Sequence, residues 1–160
     1  MMKVSIIMGS QSDLETVQEA INVFKEFKVA VEVKVLSAHR TPKELAAYVE
    51  RVSKSGVRVF IAAAGGAAAL AGVVAAHTTL PVIGIPIETS SLKGLDSLLS
   101  TVQMPAGIPV ASMAIGKAGA KNAALFALQI LATSDPIISK QLAQYKQAMR
   151  DKITKIKLSL

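Results

Sequence analysis

The chain has 160 residues, enough for one domain and too few for two cores of ordinary size. With 51% of it apolar and 18% charged it buries a core rather than staying disordered; the absence of Cys excludes a disulfide scaffold, a thiolate nucleophile and Cys-based metal sites, and two His exclude a His-rich one. The formal charge of +7 is uneven: Ile137 to Leu160 carries six Lys/Arg against one Asp, a net +5, and offers only Tyr145 for stacking, so this stretch reads as a solvated helix face and not as a nucleic-acid surface.

Five short runs rich in Val and Ile read as strands buried on both faces: Val4 to Met8, Val31 to Leu36, Val57 to Ala62, Val82 to Ile85 and Val110 to Ile115. Helical patterns fill the gaps. Ser12 and Glu15 have the spacing of a capping box, followed by Leu14, Val17, Ile21 and Phe24 on one face. Thr41-Pro42-Lys43-Glu44 is a second such box, leading into Leu45, Val49 and Val52. Ala67 to Ala76, Gly94 to Val102 and Gly119 to Leu131 complete the alternation, which predicts an α/β three-layer sandwich on a parallel sheet of about five strands.

Val59 to Ile87 lacks charge unless His77 is protonated, and is long enough to span a bilayer. Gly65-Gly66, Gly72, Pro81 and Pro86 interrupt it, so it reads as two strands joined by a small-residue helix. No apolar leader run follows Met1, and a soluble, cytoplasmic protein is expected. After Ser134-Asp135-Pro136, the stripe Ile138, Leu142, Tyr145, Met149, Ile153 and Ile156 predicts a helix roughly 30 Å long. An alanine-rich core with 4% aromatics buries little area per side chain, so this helix is expected to pack on a neighbouring subunit. Residues 1–133 then form the α/β catalytic part and 134–160 the C-terminal helix of the same domain.

In an open parallel sheet, ligands sit beyond the carboxyl ends of the strands. The first such loop, Gly9-Ser10-Gln11-Ser12-Asp13, offers N–H groups, two hydroxyls and a Gly, an anion pocket or merely a capped helix start. Asp13 would repel a phosphate, so in a site it takes sugar hydroxyls. The second, Ser37-Ala38-His39-Arg40-Thr41-Pro42, sets a proton carrier beside a guanidinium that can grip phosphate. His77 ends a small-residue helix, where a cation suits the dipole, and is read as structural. The third loop, around Gly65, Gly66 and Ala67, has no reactive side chain; it serves tight packing, a floor for a flat ligand, or both. Gln103-Met104-Pro105-Ala106-Gly107-Ile108-Pro109-Val110 is a stiff two-proline loop, and Gly116-Lys117 opens a helix without the Walker order.

Taken together, Met8-Gly-Ser-Gln-Ser-Asp13, Ser37-Ala-His-Arg-Thr-Pro42, Ala64-Gly-Gly-Ala-Ala68, Gly94-Leu-Asp-Ser97, Gln103-Met-Pro-Ala-Gly-Ile-Pro-Val110 and Ala114-Ile-Gly-Lys117 with Lys121-Asn-Ala-Ala124 resemble the PurE family, in kind the class I N5-carboxyaminoimidazole ribonucleotide (N5-CAIR) mutases. The resemblance runs to about Leu131. It implies a flavodoxin-like fold, a homo-octamer with sites between subunits, and a cofactor- and metal-free step of purine synthesis that moves a carboxylate from N5 to C4 of an aminoimidazole ribonucleotide. It implies that Ser10, Asp13 and Arg40 bind the ribose phosphate, that His39 is the general acid and base, and that Ser37, Gly65 and Gly66 line the ring and carboxylate site. Gln103, Met104 and Pro105 would reach a neighbour's site.

The chain departs from that pattern at Ala63, Ala69 and Ala71, where the class I loop has Gly, His and Pro. A class II-like carboxylation of aminoimidazole ribonucleotide by CO2, and a relative acting on another carboxylated heteroaromatic, are the alternatives. Class II loops carry Ser-Ala-His-Lys and Gly-Arg-Ser-Asn, against which Arg40 and Gly65-Gly66-Ala67 argue. A phosphoacceptor domain would need Asp where Ala62-Ala63-Ala64 stands, and a flavin carrier would want aromatics around the ring.

Overall fold

The computed structural model describes residues 3–157. Five strands, β1 (Val4–Met8), β2 (Val31–Val35), β3 (Val59–Ala64), β4 (Val82–Pro86) and β5 (Ala111–Ser112), alternate with α1 (Leu14–Glu26), α2 (Pro42–Ser53), α3 (Leu70–Ala76), α4 (Leu95–Val102) and α5 (Gly116–Ala132). A last helix, α6, spans Pro136–Thr154. All strand pairs are parallel, in the order β2-β1-β3-β4-β5. This is the flavodoxin-like winding, whose direction reverses beside β1 and leaves a crevice at the strands' carboxyl ends.

Two compact units are distinguished, Met1–Ala127 and Leu128–Leu160. The first holds the whole sheet. On one face, Ile7, Phe60, Ala62 and Val82 pack with Leu45, Val49 and Val52 of α2 and with Leu70, Ala71 and Val74 of α3. Ser5 is buried there too, and its hydroxyl meets Tyr48 Oη at 2.8 Å while Tyr48 donates to Glu32 at 3.0 Å. Burial and the Glu32 carboxylate push the Tyr48 pKa up to about 12, so it stays a donor. Across the sheet Ile6, Ile61 and Ile83 stand in one row, and Lys117 at the start of α5 pairs with Glu15 of α1 at 2.6 Å. Helix α4 lies so close over β4 that a Cβ on Gly84 would collide with the Thr101 methyl.

The second unit holds the end of α5 and α6. The Asp135 side chain caps α6, accepting from Ile137 and Ile138 N–H at 3.1 and 3.3 Å, with Pro136 in the first turn.

Several elements differ from the sequence reading. β2 is an edge strand, not buried on both faces: its Val-Glu-Val-Lys-Val alternation keeps Glu32 and Lys34 partly in water, paired at 3.0 Å. β3 is displaced two residues and absorbs Ala63 and Ala64, so α3 begins at Leu70 and not Ala67. Gly66 at φ +69° turns the chain, and the Ala68 and Ala69 N–H groups bond carbonyls only two residues back, at 2.8 and 2.7 Å. β5 keeps only two of six expected residues because it pairs with β4 alone and Gly116 (φ +74°) soon starts α5. The first cap lies at Ser10 and Asp13, not Ser12 and Glu15, since a short 3-10 turn (Gln11–Asp13) precedes α1. Thr41 makes no side-chain cap; its hydroxyl turns back to Ser37 instead.

Candidate active site

A cavity of about 520 Å³ opens at the carboxyl ends of β1 to β4, within the size range of small-molecule sites. Four loops converge on it, as the reversal of winding beside β1 requires.

The loop after β1 is fixed by its own short side chains. Gly9 N–H donates to the Ala63 carbonyl at 3.0 Å, holding the loop to β3. Ser10 N–H then donates to Asp13 Oδ2 at 3.2 Å, while Ser10 Oγ accepts from the Ser12 N–H at 3.3 Å and its hydroxyl at 2.9 Å. Ser10, Ser12 and Asp13 all line the cavity. Asp13 is buried (7% exposed), and that burial pushes its carboxyl pKa up, opposed by the Ser10 N–H, the Ser12 hydroxyl and the nearby Arg40 charge.

The loop after β2 folds on itself. Ser37 N–H donates to Thr41 Oγ1 at 2.8 Å, the Thr41 hydroxyl returns to the Ser37 carbonyl at 3.1 Å, and Arg40 N–H donates to Ser37 Oγ at 3.2 Å. Arg40 Nη2 crosses to the Gly9 carbonyl at 2.8 Å. Ser37, His39 and Arg40 thereby reach the same cavity as Ser10 and Asp13. His39 is an exposed residue on the cavity wall, and its ring makes no hydrogen bond to another described residue.

The loop after β3 supplies Gly65 and Ala67 to the lining but not Gly66, whose N–H is taken by Ser97 Oγ at 2.9 Å. Of the three departures from the class I pattern, only Ala69 lines the cavity; Ala63 and Ala71 are buried in β3 and α3. The loop after β4 adds Ile87, Glu88 and Thr89. These three residues carry no motif of their own, with neither Gly nor a helix-start pattern; only their place after a strand's carboxyl end marks them in the sequence.

Other candidates lie elsewhere. Gln103, Met104 and Pro105 are outside the lining, and Met104 Sδ stands against α3, 3.3 Å from where a Cβ on Gly72 would be. Lys117 is engaged with Glu15. His77 follows α3 and meets Glu50 at 3.1 Å, in keeping with a structural role. Among the described residues no group of three or more His, Cys, Asp or Glu could hold a metal ion, and no helix is long and apolar enough to cross a membrane.

The arrangement sets a guanidinium, hydroxyls and an imidazole around one cavity with a loop of small residues. It can bind an anionic sugar and move protons on what the sugar carries.

Comparison with known proteins agrees with that chemistry. The chain is 55% identical over 150 residues to an N5-carboxyaminoimidazole ribonucleotide mutase of Pyrococcus abyssi (94% of this chain, 85% of the other). It is 50% identical over 151 residues to the mutase of that name from Escherichia coli K12 (94% and 89%). A crystal structure of Treponema denticola PurE superposes with a TM-score of 0.89 at 28% identity, covering 97% of this chain and 96% of that one. The family described as AIR carboxylase matches residues 3–152, and the chain belongs to that family.

Proposed function

We propose that the chain is an N5-carboxyaminoimidazole ribonucleotide mutase, converting N5-CAIR to 4-carboxy-5-aminoimidazole ribonucleotide (CAIR) in purine synthesis. The observation that carries this reading is the convergence of His39, Arg40, Asp13 and the Gly65–Ala67 loop on one cavity, in a chain half identical to mutases of that name.

In the reaction the N5–carboxyl bond breaks and CO2 leaves, while N5 takes a proton. The ring C4 then attacks that CO2, and the C4 proton is removed. His39 gives the first proton and takes the second, so the imidazole ends as it began and no net proton is exchanged. The step is redox-neutral and asks only for a proton carrier, so no cofactor or metal is assigned a part. Arg40 and the Ser10–Asp13 loop, with Ser12, hold the ribose phosphate, Asp13 taking sugar hydroxyls. Ser37, Gly65, Gly66 and Ala67 border the ring and the migrating carboxylate. Gly66 acts there through the shape of the loop, since its N–H is already bonded. A floor of Ala and Gly excludes water while CO2 is free, and water entry would let the decarboxylated amine escape.

The site is completed in a homo-octamer, with Gln103, Met104 and Pro105 reaching a neighbour's cavity and α6 packing on another subunit. Exposed apolar rows support association: Leu95, Leu99 and Val102 on α4, and Ile137, Met149 and Ile153 on α6, are each about half exposed or more. The protein works in the cytoplasm, with the other steps on the same nucleotide. The test is incubation with N5-CAIR without added bicarbonate: CAIR formation supports the mutase, whereas CAIR made only from aminoimidazole ribonucleotide and bicarbonate supports the carboxylase.

A further inference from the structure

At the point where β3 and β4 separate, one hydroxyl stands between them. The register pairs Ala64 with Pro86, and Ile87 N–H still donates to the Ala64 carbonyl at 2.9 Å. A parallel ladder advances two residues at a time, so its next bond would run from Gly66 N–H to the Ile87 carbonyl. Instead Gly66 N–H donates to Ser97 Oγ at 2.9 Å, and the Ser97 hydroxyl donates to the Ile87 carbonyl at 2.7 Å. The Gly66 carbonyl is also met from α4, by the Ser100 hydroxyl at 3.3 Å. Around this relay Gly65 packs against the segment after β4, where a Cβ on Gly65 would stand 3.5 Å from Ile87 Cβ and 3.6 Å from Thr89 Cγ2, and Gly65, Ala67, Ile87, Glu88 and Thr89 all line the cavity.

The composition of α4 points the same way. An ordinary amphipathic helix buries its large apolar residues. This one buries Ser97 and Thr101 and leaves Leu95, Leu99 and Val102 about half exposed. Thr101 Oγ1 bonds the Ser97 carbonyl at 2.7 Å, and its methyl sits over Gly84, which accounts for Thr101 as a close-packing residue. Close packing alone would accept Ala at position 97. What Ala lacks is a group that accepts and donates at once, which this gap between strands uses.

Building on the mutase reading, we infer that Ser97 is a positioning residue. Its hydroxyl takes the place of the next β3–β4 bond, holds the Gly66 N–H one hydroxyl away from the Ile87 carbonyl, and so sets the floor over which the carboxylate migrates. Without it Gly66 either closes directly on Ile87 or loses its partner, and both displace Gly65 and Ala67.

The experiment compares Ser97→Ala, Ser97→Thr and, as a control for lost stability, Val49→Ala, which truncates a buried side chain of α2 outside the cavity. Crystal structures read the loop directly, with or without turnover. Ser97→Ala is expected to shift the Gly65–Ala67 backbone by about 1 Å, a displacement large enough to matter for catalysis. With N5-CAIR, Ser97→Ala is expected to lower kcat about tenfold and to raise severalfold the share of turnovers ending as decarboxylated amine, with KM within about twofold of the unaltered chain. Ser97→Thr, which keeps the hydroxyl, restores the product ratio; Val49→Ala lowers the melting temperature and leaves that ratio alone. An unmoved loop in Ser97→Ala, or a moved loop with an unchanged product ratio, overturns the inference. An unaltered chain that makes no CAIR overturns the mutase reading instead, and the loop position still decides the role of Ser97.

Discussion

Arg40 Nη2 donates to the Gly9 carbonyl at 2.8 Å, spanning from the loop after β2 to the loop after β1. One side chain thus joins the two loops that bring the His39 imidazole and the Ser10 and Ser12 hydroxyls to a common cavity. The guanidinium is planar with five donors; Nε also donates to Ser37 Oγ at 3.4 Å, and the remaining N–H groups are left for a phosphate.

Replacing it therefore acts on binding first. Arg40→Ala is expected to raise KM for N5-CAIR about 10- to 100-fold, the worth of a charge-assisted hydrogen bond, with a much smaller change in kcat. Steady-state kinetics checks this, and an unchanged KM would remove Arg40 from the phosphate site.

His39 has the opposite signature. His39→Asn keeps a polar side chain of similar reach but cannot shuttle protons, so turnover is expected to fall at least about a hundredfold while nucleotide binding stays measurable by calorimetry. Near-normal turnover in that variant would refute the proton-carrier role.

Asp13 sets function against stability. Burial raises its pKa in the folded chain, so the folded state holds more protons than the unfolded state across the interval between the two pKa values. Its ionisation accordingly lowers stability as pH rises through that interval, and the loss is fully present at neutral pH. Asp13→Asn retains an acceptor for the Ser10 N–H and cannot ionise. It is expected to melt higher than the unaltered chain at neutral pH, with the gap closing as acid protonates Asp13 in both states, and to bind substrate more weakly. A lower melting temperature at neutral pH would mean that the carboxylate's hydrogen bonds outweigh its burial.

Gly84 tests the close approach of α4 to the sheet. A methyl there runs into the Thr101 methyl, so Gly84→Ala is expected to cost about 1–3 kcal/mol. Thr101→Ser removes the obstructing methyl and keeps the hydroxyl that bonds Ser97, so the double variant should recover much of the loss. Thermal unfolding of the two single variants and the double one measures the coupling; simple additivity would contradict the packing.

Much of this was readable from residue order because short-range physics fixes it. β1 to β4 follow Val/Ile runs, and Asp135-Pro136 caps α6 as its chemistry demands. The loops after β1 and β2 could be located because Gly9, His39 and Arg40 stand just past strand ends. What escaped depends on tertiary partners. The alanine run at the end of β3 locally favours helix, and pairing with β1 and β4 overrides that preference up to Ala64. Glu88 and Thr89 enter the cavity only because β4 lies beside β3. In the sequence Ser97 is one residue of the helix expected over Gly94 to Val102, and its hydroxyl acquires meaning only from Gly66, 31 residues away.

In the proposed reaction the carboxylate passes from N5 to C4 within one bound nucleotide, so its carbon does not mix with the buffer pool. The decisive measurement uses N5-CAIR carrying an isotopic label in that carboxylate, turned over in unlabelled bicarbonate buffer and analysed by mass spectrometry. Transfer within one bound nucleotide yields CAIR that retains the label; CAIR bearing carbon from the buffer, in proportion to the bicarbonate supplied, would rule that transfer out.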